Sequence, residues 1–118
     1  MADAGLFIGW GEVVRGRETE ALEVFNEVLA YYGRLQEEGE IENFEPVFLE
    51  PHGGDLNGFI LIRGDAERLA SLRVSEEFTQ FSIRAGLVVD GFGVVGADLA
   101  ERLQRQMEYY TERIGAFA

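Results

Sequence analysis

Three short segments are apolar at almost every position, and they constrain the fold more than any other feature of the chain. They are Leu6–Ile8, Phe59–Ile62 and Leu87–Val89. A strand in a sheet with one wet face should alternate apolar and polar residues, and these segments do not. We therefore expect both faces of the sheet to be covered. Helices of the same chain would cover one face, and a terminal helix, a second subunit or both would cover the other.

The segments around these runs switch between extended and helical periodicity, which gives the order of the elements. Strands are predicted over 6–14, 41–50, 57–63 and 87–95, and helices over 19–36, 66–72, 76–85 and 97–118. Asp65 and Ser75 are the predicted N-caps of the two shorter helices. Pro46 cannot donate a hydrogen bond to a neighbouring strand, so the second strand is predicted at an edge.

Short, right-handed connections applied to the order βαββαβ give two split βαβ units. The predicted fold class is therefore α+β, with an antiparallel sheet of strand order 4-1-3-2 and two helices on one face. The chain has 118 residues, the length of one ordinary domain. We expect a single domain over 1–118, in which residues 97–118 form an added C-terminal helix.

The composition indicates a globular protein of the cytoplasm. No apolar run approaches the roughly 20 residues that cross a bilayer. The first residues lack the basic and apolar regions of a signal peptide. The chain contains no cysteine, so neither a disulfide framework nor an oxidising compartment is indicated. We predict a cytoplasmic location on these grounds.

Charge and missing residue types exclude several functions. The net charge is −12, and the ten arginines are spread singly along the chain, so neither nucleic acid nor an anionic membrane is an expected partner. Without lysine there is no Schiff-base chemistry, and without cysteine there is no thiol nucleophile. His52 is the only histidine, which excludes a multi-histidine metal site within one chain. We predict no metal and no cofactor.

Two local patterns, together with the βαββαβ order, carry a resemblance to a known group of proteins. They are Ser75-Glu76-Glu77-Phe78 within the second helical region and Gly86-Leu87-Val88-Val89 leading into the last strand. Over residues 6–95 the chain resembles the dimeric α+β barrel group of the ferredoxin-like fold. The group includes cofactor-free monooxygenases, haem-handling enzymes and small isomerases. The resemblance implies a homodimer, and it implies no haem, because no histidine lies on a predicted helix.

A candidate catalytic cluster lies at one end of the predicted sheet. The turn that holds His52 should lie near the exit of the first strand, which would bring Trp10, Glu12, Arg15, His52 and Asp55 together. A histidine and a carboxylate such as Glu12 beside an aromatic pocket can perform general acid–base chemistry. The simpler interpretation is that His52 is a solvated turn residue and that Trp10 belongs to the core.

Asp90 and Arg63 are two further candidates for ligand binding, together with Trp10. Asp90 is the only acid in the predicted fourth strand, where it either faces a cavity or marks a bulge with Gly91. Arg63 ends the third strand and can bind a ligand carboxylate. The alternative for Arg63 is a surface ion pair with Asp65 or with a glutamate of the second strand.

Residues 91–96 match the pattern G-x-G-x-x-G that is typical of dinucleotide-binding loops. That fingerprint requires a following strand with an acid about 20 residues on, whereas only a helix is predicted after it. Glycines that alternate with apolar residues are also typical of a strand that another group approaches closely. We therefore interpret the segment as part of a strand and not as a nucleotide site.

Two functional hypotheses and a third possibility follow from the sequence. The first is a homodimeric domain with an apolar cavity that binds a small apolar organic molecule, or that serves as a structural and interaction module. The second is a cofactor-independent monooxygenase or isomerase that uses Trp10, Glu12 and His52. The third is a partner-binding subunit that uses an apolar stripe on the terminal helix, formed by Leu99, Leu103, Met107, Tyr110 and Ile114.

Overall fold

The computed structural model describes residues 3–116, which contain four strands and four helices. In chain order they are β1 (Ala4–Trp10), α1 (Glu18–Glu37), β2 (Asn43–Phe48), β3 (Gly58–Gly64), α2 (Ala66–Arg73), α3 (Glu76–Val88), β4 (Gly93–Asp98) and α4 (Ala100–Ala116). The strands form one antiparallel sheet in the order β2-β3-β1-β4. This is the predicted order 4-1-3-2, and the α+β ferredoxin-like topology is confirmed. The strand that carries Pro46 lies at an edge, as predicted.

The central strands β1 and β3 bury one set of side chains beneath α1 and α3. Their antiparallel register places Leu6 opposite Ile62 and Ile8 opposite Ile60. All four residues are buried, and Ile62 has no exposed surface. Because side chains alternate along a strand, these residues form one face and their chain neighbours form the other. The core therefore lies between this face of the sheet and the helices α1 and α3.

Within residues 3–116, no helix packs across the opposite side of the sheet. It carries Gly5, Phe7, Phe59, Leu61 and Val95, and we term this surface the open face. The rings of Phe7 and Phe59 stack on it with their centroids 5.0 Å apart. Val95 lies beside Phe7 on β4 and is 55% exposed. The apolar character of the strands therefore extends to both faces, as the sequence indicates.

Two ion pairs and one aromatic contact set how α1 and α3 lie against each other. Arg34 pairs with Glu77 at 2.9 Å, and Arg84 pairs with Glu27 at 2.7 Å, so the two helices run antiparallel. The pKa of Glu27 is lowered by its hydrogen bond with Arg84. Between the two pairs, the ring of Phe81 lies 5.1 Å from that of Tyr31. Exposed ion pairs contribute little free energy, so their main effect is to fix the alignment of the helices.

The predicted start of the fourth strand is wrong. The helix α3 continues through Val88, which is buried, and β4 begins only at Gly93. A short apolar run cannot distinguish a buried strand from the last turn of a buried helix, and Leu87–Val89 was such a run. Asp90 consequently lies in the turn between α3 and β4, next to Gly91, whose φ of +63° favours glycine.

The predicted end of the first strand is also wrong, because β1 stops at Trp10. The chain beyond it pairs with the turn after α3. The Gly11 N–H donates to the Asp90 carbonyl at 2.7 Å, and the Asp90 N–H donates to the Glu12 carbonyl at 2.8 Å. A Cβ at Gly11 would lie 2.8 Å from the Asp55 carbonyl oxygen, so the close approach of three segments requires glycine there.

The terminal helix α4 contributes nothing to this core, since none of its residues is buried.

Asp65 and Ser75 cap α2 and α3, as predicted, because their side chains accept hydrogen bonds from the Arg68 and Phe78 N–H groups. Across residues 3–116, every helix is too short or too polar to span a membrane.

Candidate functional site

A cavity of about 310 Å³ lies between the sheet and the helices α1 and α3. It is found where β1 and β2 end and where β3 begins, next to the start of α1 and the end of α3. Its lining is apolar and rich in rings, which are those of Trp10, Phe25, Tyr32, Phe48, Phe81 and Phe92. Cavities of this volume and character are typical of small-molecule sites.

The cavity exists because the two helices present small side chains at one end and large ones at the other. Ala21 on α1 and Ala85 on α3 line the hollow end. At the opposite end, Tyr31, Leu35 and Phe78 are buried and fill the space above the sheet. Protein interiors otherwise pack as densely as organic crystals, so this hollow is a specific feature of these positions.

Three aromatic rings form one wall of the cavity. The ring centroids of Trp10 and Phe25 are 6.0 Å apart, and those of Trp10 and Phe48 are 6.1 Å apart, both close to edge-to-face. Phe25 and Phe48 lie 5.2 Å from each other. Such a cluster offers both the faces and the edges of aromatic rings to a ligand.

The mouth of the cavity is apolar as well. Phe48 is 70% exposed and Leu22 is 61% exposed, and both line the cavity. Val13 also lines it and is partly exposed. The cavity therefore opens to solvent between large apolar side chains, which are unfavourable in water unless something contacts them.

Few polar groups reach the cavity. Glu18 is the only charged residue of the lining among residues 3–116, and its carboxylate accepts hydrogen bonds from the Gly16 N–H at 3.0 and 3.2 Å. The Ser82 hydroxyl donates to the Phe78 carbonyl at 2.9 Å, which satisfies it within α3. Burial raises the pKa of the Tyr32 phenol, and Tyr31 beside it raises that pKa further. Tyr32 is therefore neutral at physiological pH.

Of the predicted catalytic cluster, only Trp10 lines the cavity. Glu12 is exposed, and so is His52 in the loop between β2 and β3. The Nδ1 atom of His52 accepts a hydrogen bond from the Gly54 N–H at 3.2 Å, so its Nε2 atom carries the proton donated to the Leu56 carbonyl at 2.9 Å. Both ring nitrogens thus organise their own loop, which matches the simpler interpretation of His52 as a turn residue.

The predicted ligand-binding residues Arg63 and Asp90 also lie away from the cavity lining. Arg63 lies on β3 with its Nη1 atom 3.3 Å from Asn43 Oδ1 and 3.6 Å from a carboxylate oxygen of Glu45. It thus makes the surface ion pair with a second-strand glutamate that was the alternative expectation. Asp90 is exposed, and its backbone groups join the turn to the segment after β1.

The glycine pattern at 91–96 spans a turn and most of a strand. Gly91 lies in the turn, and β4 begins at Gly93, which pairs with Gly9 of β1. A dinucleotide loop would instead join the end of a strand to the start of a helix. Residues 93–96 thus belong to a strand, as interpreted, whereas Gly91 and Phe92 precede it. The close approach expected for these glycines is not found within residues 3–116, since a Cβ built on Gly93 or Gly96 meets nothing within 4 Å.

Sequence reasoning missed the residues that create the cavity. Of the cavity-lining residues that the structure describes, only Trp10 is among the candidates predicted from the sequence. The available signal was the pair of alanines, Ala21 and Ala85, on helix faces otherwise composed of large apolar residues. Recognising it required knowing that α1 and α3 run antiparallel, which brings these two small residues to the same end.

No protein-family model matches the chain, and no curated protein matches it either. Solved structures do. A dimeric ferredoxin-like protein of unknown function from Jannaschia sp. CCS1 aligns with a TM-score of 0.62 at 12% identity, over 82% of this chain and 97% of that one. The chain has the ferredoxin-like fold.

Two further solved structures share this ferredoxin-like fold. A dimeric protein of unknown function from Bacteroides fragilis aligns with a TM-score of 0.58 at 13% identity, over 81% of this chain and 96% of that one. SnoaB, a cofactor-independent oxygenase from Streptomyces nogalater, aligns with a TM-score of 0.53 at 16% identity, over 85% and 96% of the two chains. Identities this low establish the fold and leave function to be argued from the site.

Replacing Tyr32 with phenylalanine should reduce the loss of unfolding free energy that occurs as the pH rises above about 10. The unfolded chain loses this phenolic proton near pH 10, whereas the folded protein keeps it to higher pH. Stability from this group is therefore complete below about pH 10 and falls above it by about 1.4 kcal/mol per pH unit. Urea unfolding of the wild type and of Tyr32→Phe, measured at a series of pH values, checks this. Below about pH 9 the two curves should run parallel; equal slopes above pH 10 as well would contradict the assignment.

Proposed function

We propose that the chain forms a homodimer and that each subunit binds a small, neutral, apolar organic molecule in the cavity beneath α1 and α3. The observation that carries the proposal is the cavity of about 310 Å³ with an aromatic wall and an apolar mouth. A purely structural module has no need of such a hollow, because an unfilled cavity reduces stability.

The size and charge of the site narrow the class of ligand. An apolar cavity of about 150 Å³ accommodates benzene, so one of about twice that volume suits a two-ring aromatic molecule. The net charge of −12 and the carboxylate of Glu18 disfavour an anion. An uncharged bicyclic compound fits these constraints best.

The fluorescence of Trp10 can report ligand binding directly, because Trp10 is the only tryptophan of the chain and lines the cavity. The neutral bicyclic probe 1-aminonaphthalene absorbs where tryptophan emits. Binding should therefore quench Trp10 and produce sensitised probe emission. Ala21→Leu adds apolar volume inside the cavity and should weaken binding at least tenfold. The measurement is a fluorescence titration of wild type and variant.

Ala30→Leu is the matched control, because Ala30 lies on the same helix and is exposed. It should bind the probe as the wild type does. Circular dichroism checks that both variants are folded. If the wild type shows no energy transfer, or if the two leucine variants bind equally well, the ligand-binding proposal fails and the structural-module alternative gains.

The open face supports the dimer part of the proposal. Phe7, Phe59 and Leu61 are only partly buried there, and Val95 is more than half exposed. A contiguous apolar surface on a sheet is typical of a protein–protein interface. The solved structures from Jannaschia and Bacteroides fragilis are both described as dimeric ferredoxin-like proteins.

Val95→Glu should convert the protein into a monomer, because two-fold symmetry would bury the new carboxylate in both copies without a partner. Sedimentation analysis should give twice the 13.2 kDa of one chain for the wild type and a single chain for the variant. Val74→Glu is the control, since Val74 is highly exposed between α2 and α3, and it should remain dimeric. A monomeric wild type, or a dimeric Val95→Glu, would contradict the open face as the dimer surface.

A cofactor-independent monooxygenase or isomerase is the second candidate. It is favoured by the same cavity together with the fold shared with SnoaB, itself a cofactor-independent oxygenase. Its catalytic group would have to be Glu18, Ser82 or Tyr32, since Glu12 and His52 do not line the cavity. Oxygen uptake with 1-naphthol above the protein-free rate, reduced in Ala21→Leu, would favour the enzyme over the binding domain.

A further inference from the structure

The terminal helix α4 carries a narrow apolar seam that the described residues of its own chain, 3–116, leave exposed. The seam consists of Leu103, Met107, Tyr110 and Ile114, and the exposed fractions of these residues range from 50 to 66%. Their spacing of four, three and four residues is the alternation of a coiled-coil seam. Helices that pack on a sheet, such as α1, present a wider apolar face.

The residues that flank the seam are also of a type that allows two helices to pair. Gln104, Gln106, Thr111 and Arg113 border it, and none of them is acidic. The three glutamates of α4 lie on the other side of the helix, as the heptad spacing requires. α4 contains three arginines and three glutamates and is therefore neutral, whereas the whole chain carries −12. A second copy of this acidic chain meets no net repulsion along α4.

The joint between β4 and α4 holds the helix in a defined direction. Ala100 adopts a φ of +47°, a left-handed conformation that is unfavourable for alanine. The Leu99 N–H donates to the Asp3 carbonyl at 3.0 Å, and the Arg102 Nε donates to Asp98 at 3.3 Å. Specific contacts thus offset a strained turn, which indicates that the direction of α4 matters.

α4 also begins on the open face and then leaves the domain. The Cδ1 atom of Leu99 would lie 3.2 Å from a Cβ built on Gly5, and Cδ1 of Leu61 would lie 3.4 Å from it, so Leu99 covers one corner of the open face. The radius of gyration is 16.4 Å, against about 13.5 Å for a compact domain of this length. The longest dimension is 54 Å.

We propose that α4 is a pairing helix, and that its seam packs against α4 of a second copy of the same chain. The proposal rests on the homodimer proposed above and adds a second contact to it. A pair of helices about two heptads long is marginal by itself, so it needs the neighbouring open faces to bring the chains together. The narrow seam and its borders, which carry no acidic residue, favour a helix as the occupant over a sheet or a foreign protein.

The absence of native cysteine makes a direct test possible. Met107→Cys places one thiol in the seam, and Glu108→Cys places one on the outer side of the same helix turn. With a short bismaleimide, the full-length Met107→Cys protein should form covalent dimers at least tenfold faster than Glu108→Cys. Equal rates, or faster crosslinking from Glu108→Cys, would overturn the pairing. The pairing would also be overturned if Met107→Cys crosslinked efficiently to a Val95→Cys chain but not to another Met107→Cys chain, because the seam would then contact a sheet.

The dimer dissociation constant supplies an independent measurement. Met107→Glu should raise it at least tenfold, while Glu108→Gln should leave it unchanged. Because α4 contributes no buried residue, neither variant should disturb the fold of the single chain. An unchanged constant for Met107→Glu, together with a monomeric Val95→Glu, would refute the helix pairing and keep the sheet dimer. A dimeric Val95→Glu with a monomeric Met107→Glu would refute the sheet surface and keep the helix pairing.

Discussion

Hydrophobic burial of the central strands β1 and β3 beneath α1 and α3 is the interaction on which the rest of the structure depends. On one side, Leu6, Ile8, Ile60 and Ile62 are removed from water by α1 and α3. On the other side, the open face carries apolar side chains, and the part of the chain that the structure describes covers them only at the corner under Leu99. A sheet of this composition gains most when both faces are covered, so the proposed dimer would draw on the same driving force as folding.

The helices α1 and α3 cover the buried face of the sheet without filling all the space above it. The helices α1 and α3 rest on large side chains such as Tyr31 and Phe78 at one end, and the ion pairs Arg34–Glu77 and Arg84–Glu27 keep them aligned. At the other end Ala21 and Ala85 are too short to reach across the gap, and the aromatic wall around Trp10 remains uncovered. The hollow thus follows from a gradient in side-chain size along two aligned helices. The cost of an unfilled cavity is what a bound apolar molecule would offset.

The sequence predicts those features of the fold that depend on local chemistry. Asp65 and Ser75 could be predicted as N-caps because a cap side chain accepts a hydrogen bond from the N–H group three residues further along the chain. The edge position of the second strand could be predicted because Pro46 lacks an N–H group. The last turn of α3 was misassigned because Leu87 and Val88 suit a helix and a strand equally well. The cavity could not be predicted from the sequence for a related reason. Whether Ala21 faces a hollow depends on the alignment of two helices distant in sequence, and whether His52 faces a ligand depends on hydrogen bonds within its own loop.

The high acidity of the chain bears on how two copies could associate. Two chains that each carry −12 repel one another, so a stable contact requires apolar area on surfaces that carry little net charge. The open face and the seam of α4 meet this requirement, and Leu99, which lies against Gly5 and one helical turn before Leu103, stands between them in the chain. Neither part alone is well suited to dimerisation: the seam is too short for an independent helix pair, and the sheet face lies on an acidic body. Their continuity is therefore the physical reason to expect them to act together.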